Sequence, residues 1–123
     1  MSRTPQHPTR EQIELPMVLD CLSDPIRLAI VYHLARHEHG SSELRCGDFS
    51  ELGGKSNLAY HFAKLRECGL TQTRIVGTSR LTRLRRADLD ARFPGLLDAV
   101  IKSTARDAER LPLLPECDVV EVD

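Results

Sequence analysis

The chain has no tryptophan, and only two tyrosines and three phenylalanines among its 123 residues. That leaves little aromatic surface on which splayed single-stranded bases could stack. It has no glycine-rich phosphate loop, no nucleophile elbow and no HExxH pair, so the common phosphoryl-transfer, hydrolase and zinc-peptidase signatures are missing. Ser56 and His61 do not make a dyad, because they are five apart and helical neighbours are three or four apart. The four cysteines, Cys21, Cys46, Cys68 and Cys117, are widely spaced and none forms a CxxC pair. No secretory signal and no apolar run of membrane length appears. A cytoplasmic protein with reduced thiols and no membrane partner is the expectation. The formal net charge of -1 announces no polyanion partner by itself.

The distribution of that charge does. From Lys55 to Arg86 there are eight basic residues (Lys55, Lys64, Arg66, Arg74, Arg80, Arg83, Arg85 and Arg86) against Glu67 alone, a local net of +7. The segments on either side are acidic. A positive quarter of an otherwise acidic chain is an electrostatic footprint for a polyanion.

Gly54 to Leu70, inside that segment, reads at helical period. Leu58, Phe62 and Leu65 fall at i, i+4 and i+7 and form a stripe that must pack on a core. Ser56, Asn57, Tyr60, His61 and Lys64 are assigned to the opposite face, all able to hydrogen-bond. Such a face can enter a major groove and read base edges. Gly69 is placed to end the helix in a left-handed turn.

In chain order, residues 1–10 are polar, with two prolines, and are expected to be flexible. Glu11 to Leu15 reads as extended ahead of Pro16, which opens a short helix. Ser23-Asp24-Pro25 is a helix start, and the helix to about Glu38 is apolar on most of its circumference. His33, His37 and His39 near its end read as imidazoles at a helix C-terminus rather than as metal ligands. Ser42 to Phe49 predicts one or two helical turns, and Ser50 to Gly54 the turn into the next helix. Thr71 to Val76 and Leu81 to Arg85 predict two strands joined at Gly77 to Arg80, a basic hairpin placed as a wing to touch phosphates or the minor groove. A helical link over 87–92 precedes a last helix from Pro94 to about Arg110. Residues 111–123 form an acidic tail expected to be loosely ordered.

Two stretches resemble a known family. Leu22-Ser23-Asp24-Pro25-Ile26-Arg27-Leu28 is similar to the L-(A/S)-D-P-x-R-L signature of the ArsR/SmtB winged-helix repressors. Lys55-Ser56-Asn57-Leu58-Ala59-Tyr60-His61-Phe62, with Leu65-Arg66-Glu67-Cys68-Gly69-Leu70, resembles that family's S-x-x-S-x-H-(L/F)-x-x-L-x-x-A-G-L run. The likeness spans roughly Leu15 to Ile101. It implies a homodimer, built through first and last helices, that binds an inverted-repeat operator until a signal loosens it. The family's sensing residues do not carry over. Arg45 and Gly47 stand where a Cys-x-Cys pair would be, with Cys46 between them, and the last helix has Asp98 but no histidine.

The resulting expectation is a mainly α chain with a β-hairpin (α+β), a winged helix-turn-helix over 11–110 that dimerises through its N- and C-terminal helices. Lys55, Ser56, Asn57, Tyr60, His61, Lys64, Arg74, Arg80 and Arg83 are the candidate contacts to double-stranded operator DNA. Leu15, Met17, Leu19, Leu96, Leu97, Val100 and Ile101 are the candidate dimer contacts. The function expected is a non-enzymatic transcriptional regulator, a repressor, with no cofactor and no metal. The alternatives are a thiol-based redox sensor using Cys21, Cys46 or Cys117, with an approach of Cys21 to Cys117, and a metal sensor with an atypical site. The effector, an oxidant or a small molecule, is left open by the sequence.

Overall fold

The computed structural model of the chain describes residues 5–38 and 43–110. A 3-10 turn, Arg10–Gln12, stands where the sequence predicted an extended segment. α1 (Leu15–Leu22) carries Pro16 in its first turn, where a missing amide costs nothing. It buries Val18, Cys21 and Leu22 and leaves Leu15, Met17 and Leu19 40–49% exposed. α2 (Pro25–Arg36) starts at Asp24, whose carboxylate accepts hydrogen bonds from the amides of Ile26 (2.8 Å) and Arg27 (3.2 Å). That satisfies two of the amides a helix start leaves without partners. Ala29, Ile30, Val31, His33 and Leu34 are buried along α2, which makes it the central helix.

The helical turns expected over Ser42 to Phe49 form in part, from Cys46 onward; Ser42 lies outside the described residues. Leu44–Arg45 is a short strand, β1, and the helical part is a 3-10 segment, Cys46–Leu52. β1 pairs antiparallel with β3, Leu44 opposite Thr82, so pairing to the hairpin wins over local helix propensity. The 3-10 segment drives Phe49 into the core, where its ring meets Phe62 edge-on at 5.5 Å.

α3 (Lys55–Glu67) buries Leu58, Phe62 and Leu65 as its periodicity required. Its end is a closed motif. The Leu70 amide donates to the Leu65 carbonyl (3.0 Å) and the Gly69 amide to that of Arg66 (3.1 Å), with Gly69 at φ +91°. β2 (Thr71–Val76) and β3 (Ser79–Leu84) follow, paired from Thr71 opposite Leu84 to Val76 opposite Ser79. The turn is Gly77-Thr78, shorter than the Gly77 to Arg80 turn expected, so Arg80 lies within β3. The sheet order is β1-β3-β2. α4 (Arg86–Arg92) and α5 (Leu96–Arg106) close the described chain with a 3-10 turn, Ala108–Arg110. The last helix therefore begins after Gly95 (φ +84°), not at Pro94, and ends short of Arg110. α5 packs on α2 and α4. Helices on one side, a three-stranded antiparallel sheet on the other and a hairpin projecting behind α3 make this an α+β winged helix.

Candidate nucleic-acid interface

α3 presents one face to the core and one to solvent, and apart from Ala59 its exposed side chains are polar. Lys55, Ser56, Asn57, Tyr60 and Lys64 are exposed. Tyr60 is 54% exposed, and the Lys64 ammonium sits over its ring, 5.6 Å from the centroid. Gly54 is the N-cap of α3 and no side chain caps the first turn, so neither Ser56 nor any other hydroxyl consumes those amides.

His61 departs from the expectation. It is buried at 6% exposure, with Nδ1 3.2 Å from Nη1 of Arg27 and 4.0 Å from Oδ1 of Asp24. The reason is its border position and what packs over it. At about 100° per residue, His61 lies about 40° from Leu65 and about 40° from Asn57, on the border of the two faces, and the Arg27 and Asp24 side chains at the start of α2 cover it there. A guanidinium can only donate, so in this contact Nδ1 is the acceptor. The imidazole thus links α3 to the start of α2 and does not stand beside Asn57 and Tyr60 at the surface.

The wing divides its arginines. In an antiparallel pair, opposed residues share a face. Thr71, Thr73, Thr82 and Leu84 are buried on the inner face, and Arg80, opposite Ile75, belongs to that side. Gln72, Arg74, Leu81 and Arg83 lie on the other. Arg80 is exposed and reaches the mouth of a cavity of about 670 Å³ between α3 and the sheet, shared with Lys55, Ala59, Ala63, Arg66 and Cys46. Arg74 is engaged in a two-toothed contact with Glu43, Nε to Oε2 at 2.7 Å and Nη2 to Oε1 at 2.8 Å. That hydrogen bond holds the Glu43 carboxyl below its ordinary value. Arg83 donates to the Gln72 side chain at 3.1 Å.

The +7 segment is therefore not one uniform patch. Arg85 pairs with Asp88, and Arg86 with Glu38 and Asp98, both at the foot of the hairpin. Lys55, Lys64, Arg66 and Arg80 form no ion pair among the described residues; Lys55, Arg66 and Arg80 border the cavity, and Lys64 lies on the α1 side of α3. Residues 5–10 run beneath this region. The Thr73 amide donates to Nε2 of His7 (3.0 Å), Arg85 donates to the Pro8 carbonyl (2.7 Å), and Arg10 pairs with Asp88 (2.7 Å).

The candidate dimer residues separate too. Leu15, Met17 and Leu19 are exposed on α1. Leu97 is 2% exposed and belongs to the monomer's own core, because α5 lies on α2 with that residue underneath. Leu96, Val100 and Ile101 are partly buried against the same core. Of the cysteines, Cys46 lines the α3–sheet cavity and burial pushes its thiol up. Cys21 meets Cys68, which the sequence did not single out; Cys117 lies outside the described residues. Cys68 carried no visible signal, since the contact is made between α1 and the far end of α3. No group of three or more His, Cys, Asp or Glu side chains is assembled among the described residues, and no described helix is long and apolar enough to cross a membrane.

No family model matches the chain. An 85-residue stretch, 68% of the chain, is 35% identical to 82% of an uncharacterized HTH-type transcriptional regulator, YceK, of Bacillus subtilis (strain 168). A core-packed helix with a polar outer face, a basic wing behind it and that likeness agree: the chain belongs to the helix-turn-helix transcriptional regulators.

Proposed function

We propose that the protein is a cytoplasmic repressor of the ArsR/SmtB kind, a homodimer that places two copies of α3 in successive major grooves of an inverted-repeat operator, about 34 Å apart. The observation that carries this is the outer face of α3. Asn57, Tyr60 and Lys64 are exposed on a helix pinned from behind by Leu58, Phe62 and Leu65, and Arg80 of the wing borders the side of α3 that carries Lys55, Ala59 and Arg66. Asn57 and Tyr60 are assigned to base edges. Lys55, Ser56 and Lys64 are assigned to edges or phosphates. Arg80, with Arg83, is assigned to the backbone or minor groove. His61 supports the reading helix from behind, and Arg74 is held by Glu43, so both are assigned positioning roles.

Leu15 and Leu19, one turn apart, are assigned to the surface through which α1 meets its counterpart in a second copy, with Met17 on the flank of α1 toward α3 and Leu96, Val100 and Ile101 along the edge of α5. Exposed apolar residues on a terminal helix suit an isologous interface. The domain that reads and pairs spans 11–110, with 111–123 as an acidic tail.

A gel-shift titration on duplex DNA selected from random fragments tests the reading. The expected result is binding as a dimer, with log affinity falling linearly in log salt. Affinity that is independent of salt, or equal for selected and scrambled duplexes, overturns it.

A further inference from the structure

Cys21 and Cys68 come from different helices and share one small cleft. Cys21 is on the inward face of α1, and Cys68 is the residue that ends α3. Both side chains line that cleft, and each thiol acts on the other. The cleft, about 340 Å³, lies between α1 and α3 and is also lined by Met17, Arg27, Tyr60 and Lys64. Each cysteine is about 95% buried by the protein, but both border this opening. Arg27 braces the site, donating to the Cys21 carbonyl at 2.8 Å while its Nη1 contacts His61. One cluster therefore joins the helix with the exposed apolar surface to the helix that reads.

We propose that Cys21 and Cys68 form an oxidisable dithiol site, which a hydroperoxide entering the α1–α3 cleft converts to an intrachain disulfide.

The two thiols are chemically unequal. The Cys21 S–H donated to Cys68, helped by the amides of Leu70 and Cys68 and by the Arg27 charge, draws the Cys68 thiol below its ordinary value against the cost of burial. The same shared proton, with burial, pushes Cys21 up. As a thiol, Cys68 also donates to the Leu65 carbonyl at 3.4 Å, a contact it gives up on ionising. Cys68 is thus the attacking sulfur and Cys21 the resolving one. The Cys68 thiolate attacks one peroxide oxygen, the O–O bond breaks, and hydroxide leaves and takes the proton Cys68 lost, forming water. Cys68 is then a sulfenic acid. The Cys21 sulfur attacks the Cys68 sulfur, the S–O bond breaks, and the departing hydroxyl carries away the Cys21 proton as a second water. Two thiols have lost two electrons and two protons, and one hydrogen peroxide has become two waters.

A covalent S–S bond of about 2.05 Å is shorter than any hydrogen-bonded sulfur pair. Closing it draws the end of α3 toward α1 under Tyr60 and Lys64. Its effect on DNA rests on the regulator reading above: oxidation lowers operator affinity about tenfold, within the usual range of coupling between two sites.

The test uses the full chain with Cys46→Ser and Cys117→Ser, so that only the pair remains. Hydrogen peroxide is added, free thiols are alkylated, and the digest is read by mass spectrometry. The expected product is one peptide pair joined through Cys21 and Cys68, lighter by two hydrogens and separated by dithiothreitol. With Cys21→Ala added, Cys68 is expected to stop at a sulfenic acid that dimedone captures. With Cys68→Ala added, Cys21 is expected to stay reduced under the same dose. Circular dichroism of each reduced variant checks that it is folded. Full alkylation of both cysteines after peroxide in the folded Cys46→Ser, Cys117→Ser protein overturns the proposal, as does a disulfide that joins two chains. If the disulfide forms and operator affinity stays within twofold, the coupling to DNA is overturned and the site stands. If the reduced protein binds no duplex, the regulator reading fails and the disulfide result is unaffected.

Discussion

Arg27, in the first turn of α2, reaches across to α3 and places Nη1 3.2 Å from Nδ1 of His61. The same side chain holds the Cys21 carbonyl on α1, so one guanidinium ties three helices together behind the reading face. Replacing His61 by alanine removes a buried ring and leaves Arg27 without that acceptor. The expected cost is about 1–3 kcal/mol in denaturant unfolding. Affinity falls for selected and scrambled duplexes alike, because the angle of α3 is what changes. A variant of wild-type stability that has lost only its sequence preference returns His61 to the base edges.

Asn57 carries the opposite expectation. Its side chain is exposed and lies near the turn, since a Cβ built on Gly53 would meet its Nδ2 at 3.3 Å. Asn57→Ala leaves stability unchanged within about 0.5 kcal/mol, as surface substitutions do. It costs about 1–3 kcal/mol against the selected operator and nothing against scrambled DNA. Paired titrations on the two duplexes read the difference, and an equal loss on both removes Asn57 from base recognition.

The arginines of the wing are expected to differ although the sequence makes them look alike. Arg80 makes no ion pair among the described residues and stands at the α3–sheet cavity, whereas Arg74 is already compensated by Glu43. Arg80→Ala should lower affinity on every sequence and reduce the salt slope by about 1. Arg74→Ala should change the slope much less, because little counterion is released from a charge that a carboxylate has neutralised. Equal slopes for the two variants contradict this division.

That difference marks the limit of what the sequence could disclose. The order of elements followed from local signals: Asp24-Pro25 as a cap, the Leu58, Phe62, Leu65 stripe, Gly69 as a left-handed stop, and β-branched residues around Gly77. These are rules about neighbours along the chain, and the structure obeys them. What failed depends on neighbours in space. Leu44–Arg45 is a strand only because β3 is there to pair with it. Leu97 is core only because α2 lies beneath α5. His61 was assigned to the open face by its chemistry; it stands on the border between Asn57 and Leu65 and is covered only because Arg27 and Asp24 are placed opposite. Glu43 with Arg74, and Cys21 with Cys68, are separated by 31 and 47 residues, so no periodicity could join them.

The contact between His7 and the wing makes a pH prediction. Burial, with Arg66 and Arg85 nearby, holds the His7 imidazole below its ordinary value of 6.5. Nε2 must be unprotonated to accept from the Thr73 amide, so the folded state favours the neutral ring. Since the folded value is the lower one, the stabilisation is complete above 6.5 and is lost as pH falls through the depressed value. Glu43 and Asp88, also held below their ordinary values of 4.5 and 3.8 by arginine hydrogen bonds, lose their share only at more acid pH. The expected observation is a shift of the Thr73 amide resonance that begins below pH 6.5 and is absent in His7→Ala. A resonance that moves only below pH 4.5 assigns the acid response to the carboxylates instead.

Gly69 gives the sharpest stability prediction, because two independent costs fall on one atom. Its φ of +91° is needed for the Leu70 and Gly69 amides to reach back to Leu65 and Arg66 and close α3. An L side chain resists that conformation by about 1–2 kcal/mol. A Cβ there would also lie 2.5 Å from Cγ1 and 2.7 Å from Cδ1 of Ile13, itself 1% exposed and so without room to retreat. Overpacking of this kind adds about 1–3 kcal/mol. Gly69→Ala is therefore expected to destabilise by roughly 2–5 kcal/mol in urea unfolding. Gly47→Ala is the control, since nothing lies within 4 Å of its built Cβ and its φ is not positive. Adding Ile13→Ala to Gly69→Ala relieves the clash and leaves the backbone cost, so the double variant should lose less than the sum of the two singles. Additive losses would mean that Ile13 and Gly69 do not touch, and the packing of the Arg10–Ile13 segment against the end of α3 would have to be redrawn.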